Sequence, residues 1–192
     1  MLRTLVLSLC LISPVAMAAN PVFDVHVHLR DGETSLQQYR DDVRAAGLDL
    51  SGIGVMWFGG PHQARQGDLA KIRAGNDQVI ALAKAHADVL PIATVHPYDG
   101  EAAMAELARV AAAGVKVLKI HAHTQGFDVS DPRVEALARR AGELGLTVLL
   151  DNANILPGDS EKLFNLVVRV PKTKFILAHI GGLNFRFWNI LA

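Results

Sequence analysis

Residues 22–29 read VFDVHVHL, and this stretch decides how the rest of the chain is interpreted. It is apolar and β-branched, which predicts a buried strand. Side chains two positions apart on a strand point to the same face, so His26 and His28 can aim two imidazoles at one point. At a strand end, such a pair favours a metal site over two core histidines bonded to backbone groups.

Downstream of this strand, strand and helix patterns alternate. The further predicted strands are 53–58, 89–96, 115–121, 146–151 and 175–179. The predicted helices are 34–47, 76–87, 101–113, 132–145, 160–169 and 184–191. A Thr34-x-x-Gln37 capping box opens the first, Asn76 caps the second, and Asp131-Pro132 opens the fourth. Six strands each followed by a helix predict a parallel sheet. An open doubly wound sheet and a (β/α)8 barrel both fit this pattern, and periodicity does not choose between them.

Composition narrows the class of protein. Of the 192 residues, 51% are hydrophobic and 20% are charged, which is typical of a globular domain. Lys plus Arg and Asp plus Glu both total 19. The balanced charge gives no electrostatic reason to expect nucleic acid or an anionic membrane surface as a partner.

The first eighteen residues have a pattern of their own. Arg3 precedes an apolar run over 5–15, and Ala16-Met17-Ala18 forms a small-x-small cleavage site. This predicts a secretory signal peptide over 1–18, too short for a membrane span, and a periplasmic location. The only cysteine, Cys10, lies inside it. The mature chain is therefore expected to have no disulfide, no thiolate nucleophile and no cysteine-based zinc site.

The histidines collect where the predicted strands end. Of eight, those at strand ends are His26, His28, His96, His121, His123 and His179. Parallel α/β folds build their active sites at this edge, so the distribution indicates a site. The other two are His86, interpreted as a solvated helix residue, and His62, which with Trp57 could line a substrate pocket. Core packing is an equal alternative for Trp57.

The segment around Lys119 forms a second cluster. Lys119 and His121 share one strand face, while His123 is expected in the following loop. A lysine pointing into a buried strand end must be paired, modified or deprotonated, unless it reaches solvent along the protein surface.

Three motifs resemble the amidohydrolase superfamily. They are FDVHVHL at 23–29, KIHAHTQGFDVSDP at 119–132 and FILAHIGG at 175–182. The resemblance is to the amidohydrolase-related branch, whose members are hydrolases, lactonases and decarboxylases acting on small acids. It spans the mature chain and implies a TIM-barrel type (β/α)8 fold. Residues 19–192 then form a partial barrel of about six βα units.

The resemblance also implies a site. His26 and His28 match the metal-binding pair, and His179 matches a histidine that binds metal or orients substrate and water. Lys119 lies close to a position that in some relatives holds a carbamylated lysine bridging two metals. In mononuclear relatives, a histidine such as His121 or His123 contacts substrate instead. The implied cofactor is a divalent metal ion, with zinc expected and manganese or another ion as the alternative.

Two departures from the family pattern stand out. Strand five ends in Asp151, where the family usually has a histidine ligand. Asp151 could bind metal through oxygen, or serve as a helix cap or loop acid. The family's eighth-strand aspartate has no counterpart within 192 residues, which suggests a C-terminally truncated chain. An open six-stranded sheet would expose edges and favour oligomerisation, so a homo-oligomer is one expectation.

The leading hypothesis is a metal-dependent hydrolase acting on a small ester, lactone or amide through activated water. His179, Asp151, His121 and His123 are the candidate catalytic residues, and a small molecule is the expected partner. One alternative is non-oxidative decarboxylation or another C–C lyase step, in which His179 protonates carbon. The other is a truncated, non-catalytic metal-binding protein.

Overall fold

The computed structural model describes residues 20–59, 62–151 and 158–181. Within them, six parallel strands form one sheet in chain order: β1 (Val22–His28), β2 (Leu50–Met56), β3 (Val89–Ala93), β4 (Val117–His121), β5 (Thr147–Asp151) and β6 (Lys174–Leu177). The helices are α1 (Gly32–Ala45), α2 (Leu69–Ala85), α3 (Glu101–Ala112), α4 (Ala122–Gln125), α5 (Pro132–Glu143) and α6 (Asp159–Arg169). The sheet curls into a half-barrel with alternating helices, which confirms the incomplete (β/α)8 prediction.

The two faces of the sheet have different neighbours. Leu118 and Ile120 of β4 and Leu150 of β5 pack with helix residues in the largest apolar cluster. The intervening strand residues form a separate cluster with their counterparts on neighbouring strands: Met56, Ile92, Val117 and Leu149, with Ala178. This second face is the concave one, because it is the face without helices. Burial on both faces explains why the strands lack polar alternation.

The two outer strands expose apolar side chains. Val22, Phe23 and Val25 of β1 are exposed, and so is Ile176 of β6. Among the described residues, β1 pairs only with β2 and β6 only with β5. These are the edges at which an open six-stranded sheet was expected to present unpaired backbone.

Two predicted helix starts are wrong. The first helix begins at Gly32, and no side chain of the Thr34 capping box caps it. The second begins at Leu69, so Asn76 lies within it instead of capping it. By contrast, Asp131 caps α5 as predicted, because its Oδ1 accepts the Arg133 N–H at 2.9 Å.

Asn76 has a tertiary role that local sequence could not indicate. It is fully buried, its Oδ1 accepts the Thr94 N–H and its Nδ2 donates to the Thr94 carbonyl, both at 2.9 Å. Nδ2 also donates to Glu106, and Trp57 Nε1 donates to Oδ1 at 3.3 Å. Asparagine is tolerated in this helix interior because a neighbouring strand end satisfies its amide.

We expect Asn76→Ala to lower the free energy of unfolding by roughly 2–3 kcal/mol, because the buried backbone groups of Thr94 lose their partner. Urea denaturation measures the change. Lys84→Ala, an exposed position on the same helix, is the matched control and should stay within about 0.5 kcal/mol. Equal effects of the two substitutions would contradict this role.

Two predicted segments, the signal peptide over 1–18 and the helix over 184–191, lie outside the described residues and stay predictions. No helix among the described residues is both long and apolar enough to cross a membrane.

Candidate active site

The concave face determines which residues meet at the carboxyl ends of the strands. Lys119 and His121 follow Val117 on this face of β4, and Asp151 follows Leu149 on the same face of β5. The strand register places His121 directly beside Asp151. The alternation of side chains along each strand thus brings a lysine, a histidine and a carboxylate together at one rim.

Lys119 lies at the centre of this group. Its side chain is fully buried, and its Nζ donates hydrogen bonds to Asp151 Oδ2 at 3.1 Å and to His26 Nε2 at 2.8 Å. Of the alternatives for this lysine, the structure therefore gives the buried, paired one. The contact joins β4 to β5 and, across the concave face, to β1.

The remaining histidines surround this pair. The rings of His26 and His28 are 5.1 Å apart between centroids, and those of His26 and His179 are 5.8 Å apart. His179 Nε2 lies 3.3 Å from Asp151 Oδ2. His28 uses Nδ1 to donate to the Phe58 carbonyl, which leaves its Nε2 lone pair available. The face-sharing predicted for His26 and His28 therefore holds.

His179 takes an unusual backbone conformation. It lies in the single turn Ala178–Gly181 that follows β6, and it is the one non-glycine residue with positive φ, at 53°, among the described residues. This left-handed conformation costs a non-glycine residue about 1–2 kcal/mol. Such strain clusters at functional sites, and here it accompanies a side chain that is largely exposed at the rim yet contacts Asp151.

The charge states of the group follow from burial and from Lys119. Burial, reinforced by Lys119, lowers the pKa of His26 to about 4, and burial lowers the pKa of His121 to about 4. Burial also lowers the pKa of His28. Burial alone would raise the pKa of Asp151, but Lys119 and His121 outweigh it and lower that pKa. Neutral imidazoles thus face an ionised carboxylate at neutral pH.

The two histidines of the KIHAH segment separate. His121 Nε2 is 3.8 Å from Asp151 Oδ1, and its buried Nδ1 has no hydrogen-bond partner among the described residues. His123 lies in α4, where its Nε2 contacts Asp159 Oδ2 at 2.9 Å. His121 therefore belongs to the group around Lys119, whereas His123 pairs with the start of α6.

Two residues that support the site histidines were not predicted from the sequence. Gln125 is buried, its Oε1 accepts the His121 N–H at 2.8 Å and its Nε2 donates to the Val95 carbonyl at 3.0 Å. Asp24 accepts the His26 N–H at 3.0 Å and the Tyr39 hydroxyl at 2.6 Å. Asp24 stands two positions before His26 on one strand face, a spacing that offered a signal. Gln125 lies four residues after His121, but its other partner, Val95, is 30 residues away in the sequence, so its buried position could not be predicted locally.

Other singled-out residues have structural roles. His96 is buried, accepts the Tyr98 N–H through Nδ1 and donates to the Gln125 carbonyl through Nε2. Trp57 is buried against Gly75 of α2 and belongs to the core. With His62 it borders a cavity of about 260 Å³ that Lys119 and Asp151 do not line.

Comparison with known proteins places the chain in a family. The family model described as amidohydrolase matches residues 23–190. The chain belongs to the amidohydrolase family. A search of curated proteins gives no match.

Solved structures share the fold of this amidohydrolase. A protein from Staphylococcus aureus described as an amidohydrolase aligns with a TM-score of 0.63 and 15% identity, over 83% of this chain and 66% of its own. The 2,6-dihydroxybenzoate decarboxylase from Rhizobium aligns with a TM-score of 0.62 and 20% identity, over 80% of this chain and 59% of its own. IDCase from Metarhizium anisopliae aligns with a TM-score of 0.59 and 14% identity, over 78% of this chain and 47% of its own.

These similarities establish the fold of this chain. At such low sequence identities they do not assign the activity of these proteins to it. The chain spans 66% of the length of the Staphylococcus aureus protein and 59% of the Rhizobium decarboxylase.

Amidohydrolase-family proteins usually use a divalent metal ion. The donors here fit such an ion in kind, because neutral imidazoles and an ionised carboxylate are the ligand forms that zinc and similar ions bind. Within the described ranges, no three His, Cys, Asp or Glu side chains are spaced as one bound ion would require. The position between His26 and Asp151 is taken by Lys119 Nζ.

Proposed function

We propose that this amidohydrolase is a metal-dependent hydrolase that cleaves a small ester, lactone or amide. The observation that carries the proposal is the pair His26 and His28, with ring centroids 5.1 Å apart at the end of β1, together with Asp151 at the end of β5, which Lys119 Nζ joins to His26. The site's position at the rim of a half-barrel agrees with where such folds place their chemistry.

Each residue receives a role in this proposal. His26, His28 and Asp151 would hold the ion, and His179 would be a further ligand or the group that orients substrate and water. A divalent ion bound at this place would supply Lewis acidity, polarising a carbonyl and lowering the pKa of water. Zinc is the ion we propose, with manganese as the alternative.

The proton acceptor follows from how His179 is held. Its Nε2 lies 3.3 Å from Asp151 Oδ2, which favours the tautomer with the proton on Nε2 and leaves the Nδ1 lone pair to accept a proton. The ring is exposed at the rim, where a substrate would arrive. His179 is therefore proposed to take a proton from the attacking water and return it to the leaving group. His121, whose buried Nδ1 has no hydrogen-bond partner in the described part of the chain, is proposed to contact substrate.

A second candidate is non-oxidative decarboxylation of a small carboxylic acid. The shared fold with 2,6-dihydroxybenzoate decarboxylase keeps this candidate open. In that reaction, His179 would deliver its proton to the carbon that loses carbon dioxide. The same exposed, carboxylate-held imidazole serves either direction of proton transfer.

One experiment tests the proposal. The 192-residue protein is stripped with a chelator and supplied with zinc or manganese, then assayed on esters, lactones, amides and aromatic acids. We expect hydrolysis to disappear with the metal and return with it. Release of carbon dioxide instead would favour the decarboxylase. Full hydrolysis by the metal-free protein would refute the metal-dependent mechanism, and bound metal without turnover would favour a non-catalytic metal-binding protein.

A further inference from the structure

Lys119 occupies the His26 lone pair that a metal ion would need, and it also bonds to the carboxylate of Asp151. With Lys119 protonated and paired to Asp151, its ammonium group can only donate, so His26 Nε2, 2.8 Å away, is the unprotonated ring nitrogen. Asp151 Oδ2 accepts from the same Nζ at 3.1 Å. An imidazole nitrogen has one lone pair, so it cannot accept a hydrogen bond and bind a metal ion at once.

We propose that Lys119 is an internal competitor of the metal ion, holding His26 and Asp151 in the metal-free protein and released from both when the ion binds. The proposal rests on the proposed function, since it takes His26 and Asp151 as ligands. In this model, the metal ion and the Lys119 ammonium compete for the Asp151 carboxylate, and the outcome sets the affinity for the metal.

The surroundings of Lys119 make this competition costly for the metal. The side chain is fully buried, so its Nζ has no water to replace lost partners. Asp151 is also nearly inaccessible, which strengthens its interaction with the lysine. Freeing His26 and Asp151 therefore requires Lys119 to find new acceptors or to lose its proton.

The competitor model and a ligand role make opposite predictions for Lys119. Were the lysine a metal ligand after modification, as in some relatives, its removal would weaken metal binding. As a competitor, its removal strengthens binding, because the donors no longer have to be released. The sign of the change decides between the two.

The test is a titration of the metal-free 192-residue protein with Co²⁺, followed by visible absorption, and with Zn²⁺, against a competing chelator. We expect Lys119→Met and Lys119→Gln to bind at least tenfold more tightly than the wild type. Lys116→Met removes the same charge from an exposed position before β4 and should leave affinity unchanged. Two variants are used because methionine removes the Nζ donor from Asp151, whereas glutamine can still donate to it.

Circular dichroism and the metal-induced rise in melting temperature give a second readout, since a ligand stabilises the folded state more the more tightly it binds. Unchanged or weaker binding by the folded Lys119 variants, with binding by the wild type, would overturn the competitor model and leave the proposed function standing. If neither the wild type nor any variant binds metal, the proposed function fails.

Discussion

Asp151→Ala should lower the free energy of unfolding by about 3–5 kcal/mol, because it leaves the buried Lys119 without its counter-charge. The pair is 3.1 Å apart, with side-chain exposures of 0% and 4%, so water screens it little. Whether the lysine stays charged or loses its proton, the folded state is penalised. Urea denaturation of the single variants and of the Lys119→Met/Asp151→Ala double variant measures the effect.

The double variant should recover most of that loss, since an apolar pair leaves no uncompensated charge. Lys162 and Asp128 provide the control, because they form an exposed ion pair at 2.9 Å. Asp128→Ala should change stability by at most about 1 kcal/mol. Strictly additive losses in the double variant would mean that the two residues do not stabilise the fold as a pair.

His26→Ala and His28→Ala should each lower kcat/KM of hydrolysis by about 1000-fold, which corresponds to roughly 4 kcal/mol of lost transition-state stabilisation. Both remove an imidazole proposed to hold the ion, so we expect bound metal to fall with activity. Metal analysis, circular dichroism and steady-state kinetics on the same preparations check this.

His86→Ala is the matched control for that prediction. His86 follows the last residue of α2 and pairs with Glu33 at 2.9 Å, among residues that take no part in the group around Lys119. Its replacement should leave kcat/KM within about twofold, since surface changes away from the site perturb little. Wild-type activity in His26→Ala would remove the strongest support for the proposed metal site.

The sequence predicted the architecture because the signals for it are local. Apolar, β-branched runs separated by helical patterns indicate parallel strands with helical crossovers, and all six strands are present. The side-chain alternation of VFDVHVHL correctly placed His26 and His28 together. The motif resemblance then selected the barrel, and the fold confirms that choice.

Local signals failed where a residue's partner lies elsewhere in the chain. Asn76 has the side chain of a helix cap, yet its amide bonds Thr94 on a neighbouring strand end. His96 lies three residues beyond the end of β3, close to the edge where the site histidines lie, yet both of its nitrogens are satisfied by backbone groups. Only the folded chain distinguishes these cases, because residue type does not specify which group will be near.

By itself, the sequence determined which segments form strands and helices, that the histidines collect near strand ends, and that His26 and His28 share one strand face. The tertiary structure alone decided that Lys119 lies between His26 and Asp151, and that His123 turns instead to Asp159. The physical reason is that the two kinds of information have different ranges. The two-residue period of a strand is local and determines which face a side chain points to, whereas the register and curvature of the whole sheet determine which side chain it contacts there.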